Sequence, residues 1–99
     1  MIHPLQLAPQ EAELVRSILA SEIPNAQVAV FGSRATGRAR PYSDLDLLII
    51  TPPKLSWVQR AALMDAFEAS PLPYRVDLVE AARLSSGYAQ RIRQESVLL

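Results

Sequence analysis

At 99 residues, with 49% apolar and 20% charged side chains, the chain has the size and composition of one globular domain, residues 1–99, and not of a disordered segment. Ten basic and ten acidic residues cancel, so no net charge draws it to an anionic membrane or to nucleic acid, and direct binding of either is not expected. The absence of cysteine excludes disulfides and thiolate metal sites, and the one histidine, His3, sits beside the terminus, a poor place for a histidine metal site or Ser–His catalysis.

No apolar run approaches the roughly 18 residues of a membrane span. Met1 to Leu7 lack the basic and apolar regions of a signal peptide, so a cytoplasmic location is expected.

In chain order, Pro9 to Ile23 reads as a helix. Pro9 suits its first turn, Glu11 and Glu13 complement its positive end, and Ala12, Val15, Ile18 and Leu19 form one apolar stripe. Pro24 ends it. Residues 26–31, AQVAVF, are a strand that runs into Gly32, and Ser33 to Ala39 allow one or two helical turns. Asp44 to Ile50, DLDLLII, is a strand whose apolar end implies cover on both faces.

Ser56 and Gln59 form a capping-box pattern that opens a helix to about Ser70, with Val58, Ala62, Leu63, Ala66 and Phe67 on its apolar half. Residues 74–80, YRVDLVE, alternate as a third strand. A helical turn over 81–84 and a helix from about Ser86 to Gln94 follow, and Val97 to Leu99 form either an edge strand or a tail. The order of elements predicts an α/β (α+β) fold with a small three- to four-stranded mixed sheet packed with helices. The helical connection between residues 50 and 74 admits a parallel crossover.

Asp44 and Asp46 break the apolar pattern of their strand. Residues two apart on a strand share a face, about 6.5–7 Å apart, so both carboxylates point the same way. Asp77 is a third acid within an apolar alternation, and on a neighbouring strand it reaches the same patch. Three such carboxylates repel unless a cation joins them, and their oxygens suit Mg²⁺ or Mn²⁺. A bare D-x-D is common by chance; what gives this one weight is the turn that precedes it.

Gly32-Ser33 follows a strand and opens a short helix, where backbone N–H groups and the serine hydroxyl suit a phosphate. Arg34 adds a planar cation of the kind that pairs with phosphate. A phosphate cradle beside a dicarboxylate points to phosphoryl-type transfer, which needs alignment and charge neutralisation more than covalent help.

The compound motif Gly32-Ser33-Arg34-Ala35-Thr36-Gly37, then Ser43-Asp44-Leu45-Asp46-Leu47, with Asp77 on a later strand, resembles the signature of the polymerase β-like nucleotidyltransferases. The whole chain is similar to the minimal members of that superfamily, which consist of the catalytic core alone. The resemblance implies the nucleotidyltransferase fold, with Gly32, Ser33 and Arg34 binding nucleotide and Asp44, Asp46 and Asp77 acting as catalytic, metal-binding acids. It implies two Mg²⁺ ions, with Mn²⁺ as a substitute, and ATP as substrate.

Minimal members are commonly antitoxins of HEPN-domain ribonuclease toxins. The resemblance therefore implies AMP transfer to a tyrosine hydroxyl of such a toxin, in a hetero-oligomer with it. A small-molecule acceptor, or neutralisation by contact alone, are the alternatives.

Overall fold

The computed structural model describes residues 5–99; the readings that rest on residues 1–4, His3 among them, lie outside that range. Helix α1 (Pro9–Glu22) begins with proline in its first turn and Glu11 near its positive end. It closes at Ile23, whose N–H donates to the Leu19 carbonyl at 2.8 Å, one residue before Pro24. Asn25, at φ 67°, takes the left-handed conformation that asparagine tolerates and turns the chain into β1 (Gln27–Phe31).

Helix α2 (Ser33–Thr36) is shorter than the predicted 33–39, because Gly37 adopts the left-handed cap (φ 80°, ψ 15°) and its N–H returns to the Ser33 carbonyl. Strand β2 (Leu45–Thr51) lies one residue later than expected. Helix α3 (Trp57–Ala69) opens with the complete capping box: Gln59 N–H donates to Ser56 Oγ at 3.1 Å and Ser56 N–H to Gln59 Oε1 at 3.0 Å. Strand β3 (Val76–Glu80), a 3₁₀ turn (Ala81–Arg83), α4 (Ser86–Glu95) and β4 (Val97–Leu98) complete the described chain.

The sheet order is β3-β2-β1-β4. Strands β1 and β2 are antiparallel, and β2 and β3 are parallel across the α3 connection, as the sequence allowed. Val97 and Leu98 pair with Val30 and Ala29, so the C-terminal residues are an edge strand and not a tail. Among the described residues the fold is therefore a four-stranded mixed sheet with four helices.

Alternation sorts the side chains. Leu45, Leu47 and Ile49 join Val28, Val30 and Leu78 on one face, packed against Val15 and Leu19 of α1 and Leu63 and Phe67 of α3. Leu48, on the other face, is also fully buried, as is Ala29 beside it, and Ile92 of α4 is buried too. Each buried Leu or Ile contributes about 1.5–3 kcal/mol, an upper estimate given a compact unfolded state. Strand β2 is thus a fixed rod at the centre of the sheet, and the acid at its start inherits that rigidity. Val58 departs from the predicted apolar half of α3: it is exposed, as is its neighbour Trp57 in the first turn of that helix.

Candidate active site

The parallel register of β2 and β3 pairs Leu45 with Val76, Asp46 with Asp77 and Leu47 with Leu78. Asp46 and Asp77 are therefore cross-strand neighbours on one face. Adjacent strands lie about 4.8 Å apart, closer than the 6.5–7 Å that separates Asp46 from Asp44 along the chain. The tighter carboxylate pair spans two strands, whereas the sequence drew attention first to the D-x-D.

Asp46 is half-buried and Asp77 exposed. Burial pushes the Asp46 carboxyl above the usual aspartate range, and the negative charges of Asp77 and Asp44 push it further. Asp44 is half-exposed and lies 3.9 Å from Arg75 Nε, a long contact between exposed groups that stabilises little.

On the other side of Asp46 lies the turn. Phe31 pairs with Asp46 in the antiparallel β1–β2 register, so Gly32 comes directly alongside. Gly32 has φ 73° and ψ −153°, backbone territory that is essentially glycine's alone. A Cβ there would collide with Asp46 Oδ2. Thr36 Oγ1 and the Ala35 and Thr36 amides all donate to the Gly32 carbonyl, at 3.1 Å, which locks α2 onto the end of β1. Gly32, Ser33, Asp46 and Asp77 thus meet at one end of the sheet, with Asp44 at the mouth of β2.

Arg34, expected from the motif as a nucleotide contact, turns its side chain into the protein. It is 5% exposed and donates to the carbonyls of Ser43, Pro41 and Gln6, with its guanidinium carbon 3.9 Å from the centroid of the Tyr74 ring. Its planar fork is spent on the protein's own backbone. Sequence spacing hides this because a short helix after a glycine turn says nothing about which way its second residue points. The one signal was a basic residue flanked by small ones, in a segment that must pack against a core. Tyr42, by contrast, is 78% exposed in the turn before Asp44.

Whether the acids fit a divalent cation is decided by charge and donor type. Asp77 faces Asp46 across the strands and Asp44 lies at the mouth of β2; burial first, and then these two negative charges, raise the Asp46 carboxyl above the usual range, and a cation would offset the repulsion. Hard carboxylate oxygens are the donors Mg²⁺ and Mn²⁺ prefer. Among the described residues, no group of three or more His, Cys, Asp and Glu side chains converges closely enough to hold a metal alone. That suits Mg²⁺, which is usually bound by one or two carboxylates and completed by substrate phosphates and water.

A mixed sheet with a glycine turn at the end of its first strand and acids facing each other on the next two defines a nucleotidyltransferase core. Residues 12–99 match the nucleotidyltransferase domain model, and the chain belongs to that family. It is 40% identical over 95 residues to a Haemophilus influenzae protein named Probable protein adenylyltransferase MntA, covering 96% of this chain and 83% of that one. A solved structure of a minimal nucleotidyltransferase superposes with TM-score 0.70 at 36% identity, covering 88% and 87% of the two chains. A solved toxin–antitoxin with AMP-PNP superposes with TM-score 0.70 at 25% identity, covering 87% of this chain and 69% of that one. The protein is thus an enzyme of the nucleotidyltransferase class.

Proposed function

We propose that this nucleotidyltransferase moves AMP from ATP to a tyrosine hydroxyl of a partner HEPN-type ribonuclease toxin, and so acts in the cytoplasm as its antitoxin. One observation carries the reading: Asp46 is in register with Asp77 on one side and against Gly32 on the other, which supports a single site for the acids and the turn. The protein acceptor is supported by the relative named as a protein adenylyltransferase and by the related toxin–antitoxin structure with AMP-PNP.

In this reading Gly32 and Ser33 hold the triphosphate. Asp44 and Asp46 would hold the ion that travels with the nucleotide, and Asp46 and Asp77 a second ion toward the acceptor. Magnesium, when bound, neutralises phosphate charge and favours ionisation of the acceptor hydroxyl. The acceptor oxygen attacks the α-phosphorus, the bond from that phosphorus to the bridging oxygen breaks, and pyrophosphate leaves. The hydroxyl proton is released on the Asp77 side. In-line displacement needs nucleophile and leaving group on opposite sides. The turn lies toward β1 and β3 is the outer strand, so the acceptor approaches from the β3 edge.

Labelled ATP incubated with the protein and the product of its neighbouring gene tests this. Label is expected on the partner and is expected to vanish with Asp44→Ala/Asp46→Ala. Full neutralisation by that variant without label transfer would sink the catalytic reading in favour of contact alone, and label on a small molecule would reassign the acceptor.

A further inference from the structure

The site is assembled from three separate stretches of chain: the β1–α2 turn, the 38–43 loop that delivers Asp44, and the segment before β3 that delivers Asp77. Arg34 touches all three. Its own backbone belongs to α2, next to Ser33. Its Nε and Nη2 both donate to the Ser43 carbonyl, at 3.1 and 2.8 Å, and Nη2 also donates to Pro41 at 3.1 Å. Its guanidinium carbon lies over the Tyr74 ring, 3.9 Å from the centroid, and Tyr74 Oη donates in turn to Glu11 of α1 at 3.1 Å.

Two more bonds close the frame. Arg34 Nη1 donates to the Gln6 carbonyl at 2.9 Å while Gln6 N–H donates back to the Arg34 carbonyl at 2.8 Å. On the far side of Asp44, Leu45 N–H donates to the Arg75 carbonyl at 2.8 Å. Asp44 therefore hangs between two peptide groups that are both held, the first of them by Arg34.

Burying a cation costs several kcal/mol unless the site offers compensation, and none of the ion pairs among the described residues includes Arg34. An apolar side chain would pack α2 without that cost. What only arginine offers is a rigid planar fork that binds several carbonyls at once and stacks on an aromatic face.

We propose that Arg34 is a positioning residue for nucleotidyl transfer: with Tyr74 behind it, it sets the distance between the Gly32-Ser33 turn and the carboxylates without touching nucleotide. This rests on the reading that the turn and the acids bind Mg·ATP.

The test uses the full chain with Arg34→Lys, with Tyr74→Leu and with both. Readouts are Mg·ATP affinity, kcat and KM for transfer to the partner, and the amide NMR shifts of Ser33, Asp44 and Leu45. Lysine keeps the charge but not the fork. Arg34→Lys is expected to move the Asp44 and Leu45 amides and to lower kcat by about 100-fold, with KM for ATP changed by less than about tenfold.

Tyr74→Leu is expected to give the same pattern more weakly. The double variant should be no worse than Arg34→Lys, because the two residues act as a unit.

A rise in KM for ATP with kcat held, as loss of a direct phosphate contact would give, overturns the proposal. So does independent multiplication of the two single effects. If Arg34→Lys fails to fold, the Tyr74→Leu kcat decides. Failure of the wild type to bind Mg·ATP would instead count against the reading of the site, and the amide shifts would still show whether Arg34 holds residues 43–45.

Discussion

Gly32 leaves no room for a side chain because the carboxylate of Asp46 occupies the space where its Cβ would be. The β1–α2 turn and the central acid are therefore one packed unit. Gly32→Ala brings both a clash with Asp46 and a φ of 73° that a side chain resists. A stability loss of about 1–3 kcal/mol is expected from the backbone alone. Displacement of Asp46 by even 1 Å should lower transfer by about 100-fold. Thermal unfolding and AMP transfer measured side by side check this, and a variant that loses stability but keeps its rate would refute the packing argument.

Asp46 is held where its charge is disfavoured, by burial first and by Asp77 and Asp44 next. Removing that charge should relieve the folded state. Asp46→Asn is expected to keep or raise stability at neutral pH, by no more than about 1 kcal/mol given its partial solvent screening. Transfer activity should fall below detection. A marked destabilisation of this variant in a denaturant titration would mean that Asp46 is a structural residue.

The same crowding makes a prediction about protons. A carboxyl whose pKa is raised on folding favours the folded state at low pH, and that contribution is lost as pH rises through the raised value. The ionised form, which the proposed cation site would require, fades in the opposite direction, as pH falls through the same value. Asp77→Asn removes a like charge, so the Asp46 midpoint should move down, followed by side-chain ¹³C NMR. It should still stay above the ordinary aspartate value, because burial is the larger cause. An unchanged midpoint would place Asp77 out of reach of Asp46.

Local physics made most of this fold legible. Ser56 and Gln59 announce a helix because both partners of the capping box lie within four residues, and the β2 alternation announces a strand because side-chain period is a local property. The acids were legible for the same reason: a charge inside DLDLLII violates a pattern its neighbours establish. The pairing of Asp46 with Asp77 was legible only as a condition on strand order, which a crossover does not determine alone. Arg34 and Tyr74 were beyond reach, since they are 40 positions apart and nothing local links a guanidinium to a ring on another segment. Val58 erred the other way: helical periodicity gives a face, but not how far along the helix that face is covered.

Glu80 is the other residue that periodicity could not explain. It ends β3, is 1% exposed, and its carboxylate accepts from the Leu55 amide at 2.6 Å, Arg60 at 3.0 Å and Arg83 at 3.0 Å. Burial alone would raise its pKa, but the Leu55 amide and the Arg83 and Arg60 guanidinia together outweigh it and hold the carboxyl below the usual glutamate range. It ties the start of α3 to the end of β3, far along the sheet from the acids. A group with a lowered folded pKa contributes stability above its unfolded value, and that contribution is lost as pH falls through the folded one. Glu80→Gln, which keeps the shape but not the charge, should cost about 1.5–3 kcal/mol at neutral pH, the range for hydrogen bonds to charged groups. For a domain of this size that corresponds to a Tm lower by on the order of 10–20 °C. The deficit relative to wild type should begin to shrink as pH falls into the ordinary glutamate range, where the unfolded chain protonates, and vanish only as pH falls through the lowered folded value. Melting curves of both proteins across that range measure the difference directly, and a deficit that stays constant with pH would show that Glu80 acts through shape and not through charge.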